Sequence, residues 1–290
     1  MAYSGEPILV EDLLFKPEHS LIDQSLHSHL GATTTNGDGF GIGWYGIGSE
    51  PALFKSIDPA WNNHNLREIA GQIRTPLLFA HVRASTGTRR HITQHVRAQL
   101  VRSPDAALEE LLGELESYLP PLPDNGEILG FREIKRELMM AVDPSLYPDV
   151  AGTTDSEVLF FLALTFGLRD DPFTAVGRAV GMVEKVARDH GIDDPVQMTV
   201  ATTAGDTIWV FRYSTEGRTR SLFYSTEVAK LRELHPEVEM FHRLGIDTRF
   251  VVSEPLRDLP GAWNEMPESS AAVVGPAGND IRRFRPLEPV

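Results

Sequence analysis

Residues 79–87 read "FAHVRASTG": an apolar approach that delivers an arginine into a turn of small residues. The run before it, "TPLLFAHV" (75–82), has the length and the Phe, Leu and Val content of a buried strand opened by Pro76, and Ser85, Thr86 and Gly87 break that strand. A guanidinium at the end of a buried strand is costly unless paired, and its planar fork suits a carboxylate. That carboxylate is either an internal acidic residue or part of a ligand, and Arg83 alone does not decide between them.

Outward from this strand, "NGDGFGIGWYGIGSEPALFKSI" (36–57) places glycine at 37, 39, 41 and 43, a period of two that fits one face of a strand open to close approach. Asn62 to Arg74 carries Leu66, Ile69, Ala70 and Ile73 at helical spacing, so the arginine-bearing strand follows a helix. A helix is predicted over 103–119, with Ser103 as cap, Pro104 in the first turn and Leu108, Leu111, Leu112, Leu115 and Leu119 on one stripe. Two more are predicted at 156–168 and 173–190. The first enters through Thr154, Asp155, Ser156 and Glu157 in a capping-box pattern, and Gly191 ends the second. After Pro195, "VQMTVATT", "TIWVFRYS", "SLFYST" and "RFVVSEPL" read as strands of a meander. Helices in the middle and antiparallel strands at both ends predict an α+β fold, and the absence of repeats or a linker predicts a single domain over 1–290.

With 41% hydrophobic residues among 290, the chain has material for a sizeable core, and a net charge of −14 opposes nucleic-acid phosphates and anionic membranes. Neither a nucleic-acid nor a membrane partner is expected. No apolar run approaches a bilayer span, and "MAYSGEPILVEDLLF" lacks the basic region and apolar core of a signal peptide, which makes the cytoplasm the expected compartment. The sequence contains no cysteine, so disulfides, thiolate metal sites and a cysteine nucleophile are excluded from these 290 residues.

Several motifs dissolve on inspection. Gly41, Gly43 and Gly46 satisfy G-x-G-x-x-G, yet Ser49, Glu50 and Pro51 follow where the dinucleotide fingerprint needs a helix. His91 and His95 stand four apart, without the glutamate of the zinc-protease motif and without an evident third ligand. Asp155 reads as part of a helix cap, and Asn125 with Gly126 as an ordinary turn.

Taken together, "NGDGFGIGWY" (36–45), "HVRAST" (81–86), "NGEI" (125–128) and "TTDSE" (153–157) appear in the order seen in class II glutamine amidotransferases. "EDLLFKPEHSLIDQS", "AVDPSLYPDV" and "RFVVSEPLRDLPGAWNEMPESS" are similar to the short, stand-alone bacterial branch of that family. The resemblance implies the N-terminal-nucleophile hydrolase fold, a four-layer αββα sandwich of two antiparallel sheets between helical layers. It implies that Arg83, assisted by Thr86, grips the α-carboxylate of glutamine, that Asp155 takes the α-ammonium group, and that Asn125 and Gly126 form an oxyanion hole. The implied reaction hydrolyses glutamine or a γ-glutamyl amide through an N-terminal cysteine, with no metal or organic cofactor, and an ammonia-accepting enzyme is a possible partner.

The sequence departs from the family pattern at three places. Asp124 stands for the histidine of H-N-G, and Met1 stands where a cysteine is expected at or upstream of the chain start. The family's N-x-H-P-F segment and following strand are replaced by the helical pattern at 89–124, so a core strand is expected to be missing or displaced there. The rival reading is a catalytically inactive amino-acid-binding module that retains the glutamine head-group site.

Overall fold

A computed structural model describes residues 1–31, 34–46, 51–83, 126–150, 154–203, 207–275 and 278–289. In chain order its elements are β1 (Ala2–Leu9), α1 (Val10–Leu14), α2 (Leu21–Leu26), β2 (Phe40–Tyr45), β3 (Pro51–Ser56), α3 (His64–Ala70) and β4 (Arg74–Val82). There follow β5 (Glu127–Ile128), α4 (Phe131–Met140), α5 (Asp155–Thr165), α6 (Pro172–Asp189), β6 (Val196–Thr203) and β7 (Ile208–Ser214). The chain ends with β8 (Phe223–Ser225), α7 (Val228–Leu234), α8 (Glu239–Arg243), β9 (Arg249–Val252), β10 (Trp263–Glu265), β11 (Ser270–Gly275) and β12 (Gly278–Arg283).

The strands make a seven-stranded sheet in the order β10-β8-β9-β1-β4-β2-β3 and a five-stranded sheet in the order β12-β11-β7-β6-β5. Alternation along each strand builds the layers. On β4, Leu77 and Phe79 meet Ala201, Ile208, Val210, Ala272 and Val274 of the other sheet, while Leu78 and Ala80 face α1, α2 and α3 through Leu13, Leu14, Leu21 and Leu66. On the second sheet, Met198, Val200, Phe211 and Ala271 turn the other way, onto α4, α5 and α6. Two antiparallel sheets thus lie between two helical layers, as the resemblance implied. Helix α5 is buried on every side from Glu157 to Ala163 because α4, α6 and the sheet surround it, which explains its nearly unbroken apolar sequence. No helix among the described residues is long and apolar enough to cross a membrane.

Three expectations change, and one strand is new. The meander after Pro195 divides: β6 and β7 pair in one sheet, whereas β8 and β9 pair in the other. The glycine face is shorter than its spacing suggested, since only Gly41 and Gly43 lie within β2, and Gly39 precedes it at φ +119° where a Cβ would collide with the Ser56 carbonyl oxygen. Helix α3 stops at Ala70, so Ile73 belongs to the approach to β4. Strand β1, whose alternation is interrupted by Gly5, Glu6 and Pro7, was not evident in the sequence. The predicted helix at 103–119, the pair His91 and His95, and the whole of the atypical segment 89–124 lie outside the described residues.

Candidate functional site

Strand β1 occupies the centre of the larger sheet, with Ala2 opposite Phe79 on β4 and opposite Val251 on β9. At its start, the Met1 α-amine donates to the Ala80 carbonyl oxygen at 2.8 Å, and Ala80 N–H donates back to the Met1 carbonyl oxygen at 2.9 Å. β4 runs past this point through His81 and Val82, whereas β9 ends at Val252 and turns away in a bend at Ser253 and Glu254. A cleft opens there, with about 550 Å³ of empty space including its mouth, bordered by Met1, His81, Val82, Arg220, Ser253 and Glu254.

Burial sets the charge state of this region. Desolvation pushes the Met1 α-amine down to about 5. His81 is pushed down to about 4, first by burial and then by the nearby positive charges of the α-ammonium and Arg83. Both groups are therefore neutral at pH 7. Arg83 follows directly: its N–H donates to Gly39 O at 2.9 Å, and its carbonyl oxygen accepts from Asp38 N–H at 2.9 Å. Those bonds fix the backbone, while no acidic side chain pairs with the guanidinium among the described residues.

Asp155 and Gly126 form a second group. The helix cap is Thr154, whose hydroxyl oxygen accepts from Glu157 N–H at 3.4 Å, so the capping role expected for Asp155 falls one residue earlier. Asp155 Oδ2 instead accepts from Ile128 N–H at 2.9 Å, and Oδ1 accepts from Ser156 N–H at 2.9 Å. This carboxylate ties α5 to β5, two residues beyond Gly126. Among the described residues no hydrogen bond or ion pair joins this group to the one around Arg83. Thr86 and Asn125 lie outside the described residues.

A third cluster borders the cleft. Burial alone would raise the Glu254 carboxyl, but hydrogen bonds from His19, the His29 N–H, the Ser28 hydroxyl and the Leu30 N–H outweigh it and leave the group below its ordinary range. His19 reaches Glu254 Oε1 through Nε2 at 2.5 Å and Asp23 Oδ2 through Nδ1 at 2.9 Å. One nitrogen or oxygen from each of His19, His29 and Glu254 falls within 4.8 Å of the others. A metal, however, sits in the plane of every imidazole that binds it, and these two rings stack at 4.4 Å with only 14° between their planes. The planes run side by side, so the trio is built as a clasp that fastens 28–30 to the end of β9.

His81, Glu254 and Arg220 were not singled out in the sequence. His19 and Glu254 both fall in segments that carry the family resemblance, a signal that marked them without revealing that they meet across 235 positions.

No family model matches the chain. It is 30% identical, over 300 aligned positions, to the probable glutamine amidotransferase DUG3 of Saccharomyces cerevisiae, covering 93% of this chain and 79% of that protein. Among solved structures, a glutamine aminotransferase class-II domain protein from Silicibacter pomeroyi superposes with a TM-score of 0.67 at 26% identity, covering 99% of this chain and 98% of that one. The glutamine phosphoribosylpyrophosphate amidotransferase of B. subtilis superposes with a TM-score of 0.59 over 99% of this chain and 49% of that one; at 16% identity this likeness concerns the fold alone. By the relative's identity and coverage, and by the two sheets between helical layers, the chain belongs to the class II glutamine amidotransferases.

Proposed function

We propose that the protein hydrolyses the side-chain amide of glutamine, or of a γ-glutamyl amide, as a single domain acting in the cytoplasm. The observation that carries this reading is Arg83, a guanidinium at a strand end beside a buried, neutral amine and without an acidic partner among the described residues. An α-carboxylate meets the requirement that this fork creates. Asp155, with Thr86 assisting at the carboxylate, takes the substrate's α-ammonium group, so the head is held by opposite charges and the side chain is left to reach the chemistry.

The nucleophile this reading requires is an N-terminal cysteine, absent from the sequence as given, with its own α-amine as base. A desolvated amine, like the one at the head of β1, stays unprotonated at neutral pH and can accept the thiol proton. Sulfur attacks the amide carbon, and the oxyanion is met by Gly126 N–H and the Asn125 side chain. The C–N bond then breaks, the α-ammonium returns its proton to the departing ammonia, and water cleaves the thioester to release glutamate. The ammonia passes to a partner enzyme or is set free. Neither metal nor organic cofactor enters these steps.

Titration calorimetry with glutamine tests the head-group assignment. Arg83→Ala is expected to weaken binding by about 2–4 kcal/mol, because a charge-assisted bidentate contact is lost and a carboxylate is left unpaired. Equal affinities in the two proteins would remove Arg83 from the site. A second reading, an amino-acid-binding module, is favoured by the Met1 side chain, a thioether that cannot attack an amide; it predicts glutamine binding without turnover even after a cysteine is supplied.

A further inference from the structure

We infer that Gly39 is a positioning residue for Arg83: together with Asp38 it forms a β-bulge that fixes where the arginine leaves the end of β4. The inference rests on the reading of Arg83 as the grip on the substrate's carboxylate.

Strands β2 and β4 pair residue for residue, Gly41 with His81 and Phe40 with Val82. One step further the count breaks. Arg83 N–H donates to the Gly39 carbonyl oxygen at 2.9 Å, while the Arg83 carbonyl oxygen accepts from Asp38 N–H, also at 2.9 Å. Two residues leading into β2 thus oppose a single residue leaving β4, which is the arrangement of a β-bulge. A bulge raises the local twist and ends regular pairing. Strict alternation would send Arg83 to the face of Leu77 and Phe79, between the sheets. The two bonds to Asp38 and Gly39, not the alternation of β4, therefore set the direction in which this side chain departs. With its N–H and C=O both held, Arg83 has only side-chain freedom left to lose when a ligand binds, so the planar fork is partly preorganised.

Position 39 admits glycine alone. Its φ of +119° lies well beyond the left-handed well near about +57° that Asn and Asp enter. A Cβ there would also stand 2.6 Å from the Ser56 carbonyl oxygen and 3.2 Å from Ile57 Cα. Both are main-chain atoms at the end of β3, and Ser56 is itself paired with Phe40, so neither yields without moving the sheet. The loop is held on its other side as well. Gly37 lies against the Trp61 ring, where a Cβ would be 2.8 Å from Cη2, and Asn36 N–H donates to the Ser25 carbonyl oxygen at 2.7 Å. Clamped between the end of β3, Trp61 and α2, the loop passes a displacement at Gly39 on to its remaining partner, the main chain of Arg83. Gly39 has no side chain with which to touch a substrate and acts through Arg83.

A double-mutant cycle of Gly39→Ala with Arg83→Ala, read as glutamine affinity by titration calorimetry on the 290-residue chain, tests this. Gly39→Ala alone is expected to weaken binding at least about tenfold, toward the scale of an ångström-sized misplacement. In the Arg83→Ala background the same substitution is expected to change affinity by less than about twofold, because the group it displaces is gone. A merely structural loss would weaken binding by the same factor in both backgrounds and overturn the inference, as would an unchanged affinity for Gly39→Ala. Unchanged affinity for Arg83→Ala would refute the head-group reading and take the inference with it. Should Gly39→Ala fail to fold, Asp38→Pro, which lacks the N–H that the Arg83 carbonyl oxygen accepts, is compared with Asp38→Ala, which keeps it. The proline variant is expected to bind glutamine at least about fivefold more weakly than the alanine variant, the worth of one hydrogen bond. Equal affinities of these two would overturn the inference.

Discussion

The Met1 α-amine is hydrogen-bonded to the Ala80 carbonyl oxygen at 2.8 Å inside the larger sheet, where burial holds it at about 5 instead of 8.0. A cation whose folded-state value is depressed opposes folding in acid. Below pH 8 the unfolded chain takes up a proton that the folded chain refuses, so stability falls as pH drops from 8 to 5. His81, depressed from 6.5 to about 4, extends the loss to lower pH. Three units at about 1.36 kcal/mol each put the amine's share at roughly 4 kcal/mol, and the two neighbouring groups are not additive. Urea midpoints measured between pH 8.5 and 4 should decline throughout this range. Acetylating the α-amine should flatten the part above pH 6.5, and a level profile in the unmodified chain would mean that the amine is solvated.

Glu254 is the fastening point of the segment that closes over the cleft, because its two oxygens accept from two backbone N–H groups, a hydroxyl and an imidazole. Glu254→Gln keeps the shape but replaces one acceptor oxygen with a donor, which faces Ser28 and Leu30 N–H or His19 and His29 N–H. The expected cost is about 1–3 kcal/mol, with faster exchange of the His29 and Leu30 amides. Ser28→Ala removes the hydroxyl that donates to Glu254 Oε2 and accepts from the exposed Gly31 N–H, which water can then serve, and should cost about 1 kcal/mol. Equal costs for the two variants would show that the clasp does not act as a unit.

Gly181 marks where the C-terminal segment crosses α6. Leu287 N–H donates to Gly177 O at 2.9 Å, and a Cβ at position 181 would overlap the Leu287 carbonyl oxygen. Alanine is the better helix former by about 1 kcal/mol, yet Gly181→Ala is expected to destabilise by about 1–3 kcal/mol because backbone must move. In a chain truncated after Phe284 the sign reverses and the same substitution stabilises. Thermal melts of the four proteins decide it; a stabilising Gly181→Ala in the full chain would mean that the tail does not pack there.

Elements with a strong internal period were legible: α5 and α6 end within three residues of their predicted limits, and the strand leading to Arg83 is present as β4. The partition of β6 to β9 between two sheets was not legible, because each strand looks the same whichever sheet accepts it. β1 was hidden by Gly5, Glu6 and Pro7, which break its alternation where its register with β4 shifts between Ser4 and Ile8. At the site, Arg83 declared itself through the cost of a charge at a strand end. The neutrality of Met1 and His81, and the meeting of His19 with Glu254, depend on long-range neighbours that no local pattern encodes.

The strand register also places the missing chemistry. Stepping back from Met1 along β4, the first, second and third upstream residues stand opposite His81, Val82 and Arg83. Side chains alternate, so the first and third share the face of Ala2 while the second points to the helices. A residue directly across an antiparallel pair has its Cα about 4.5–5.5 Å from its partner's, within reach of a small molecule whose carboxylate sits on Arg83, as proposed. A chain that begins with cysteine three residues before Met1 should therefore hydrolyse glutamine, while the 290-residue chain alone should not. Cysteine as the first of two added residues places the thiol on the opposite face and should give at least a hundredfold less turnover, roughly the effect of losing oriented attack. Serine at the third position, or Arg83→Ala in the cysteine-bearing chain, should abolish or severely reduce ammonia release in a coupled assay. If the two-residue extension proved as active as the three-residue one, the register would not set the nucleophile. If neither were active while both bound glutamine, the amino-acid-binding reading would replace the hydrolase.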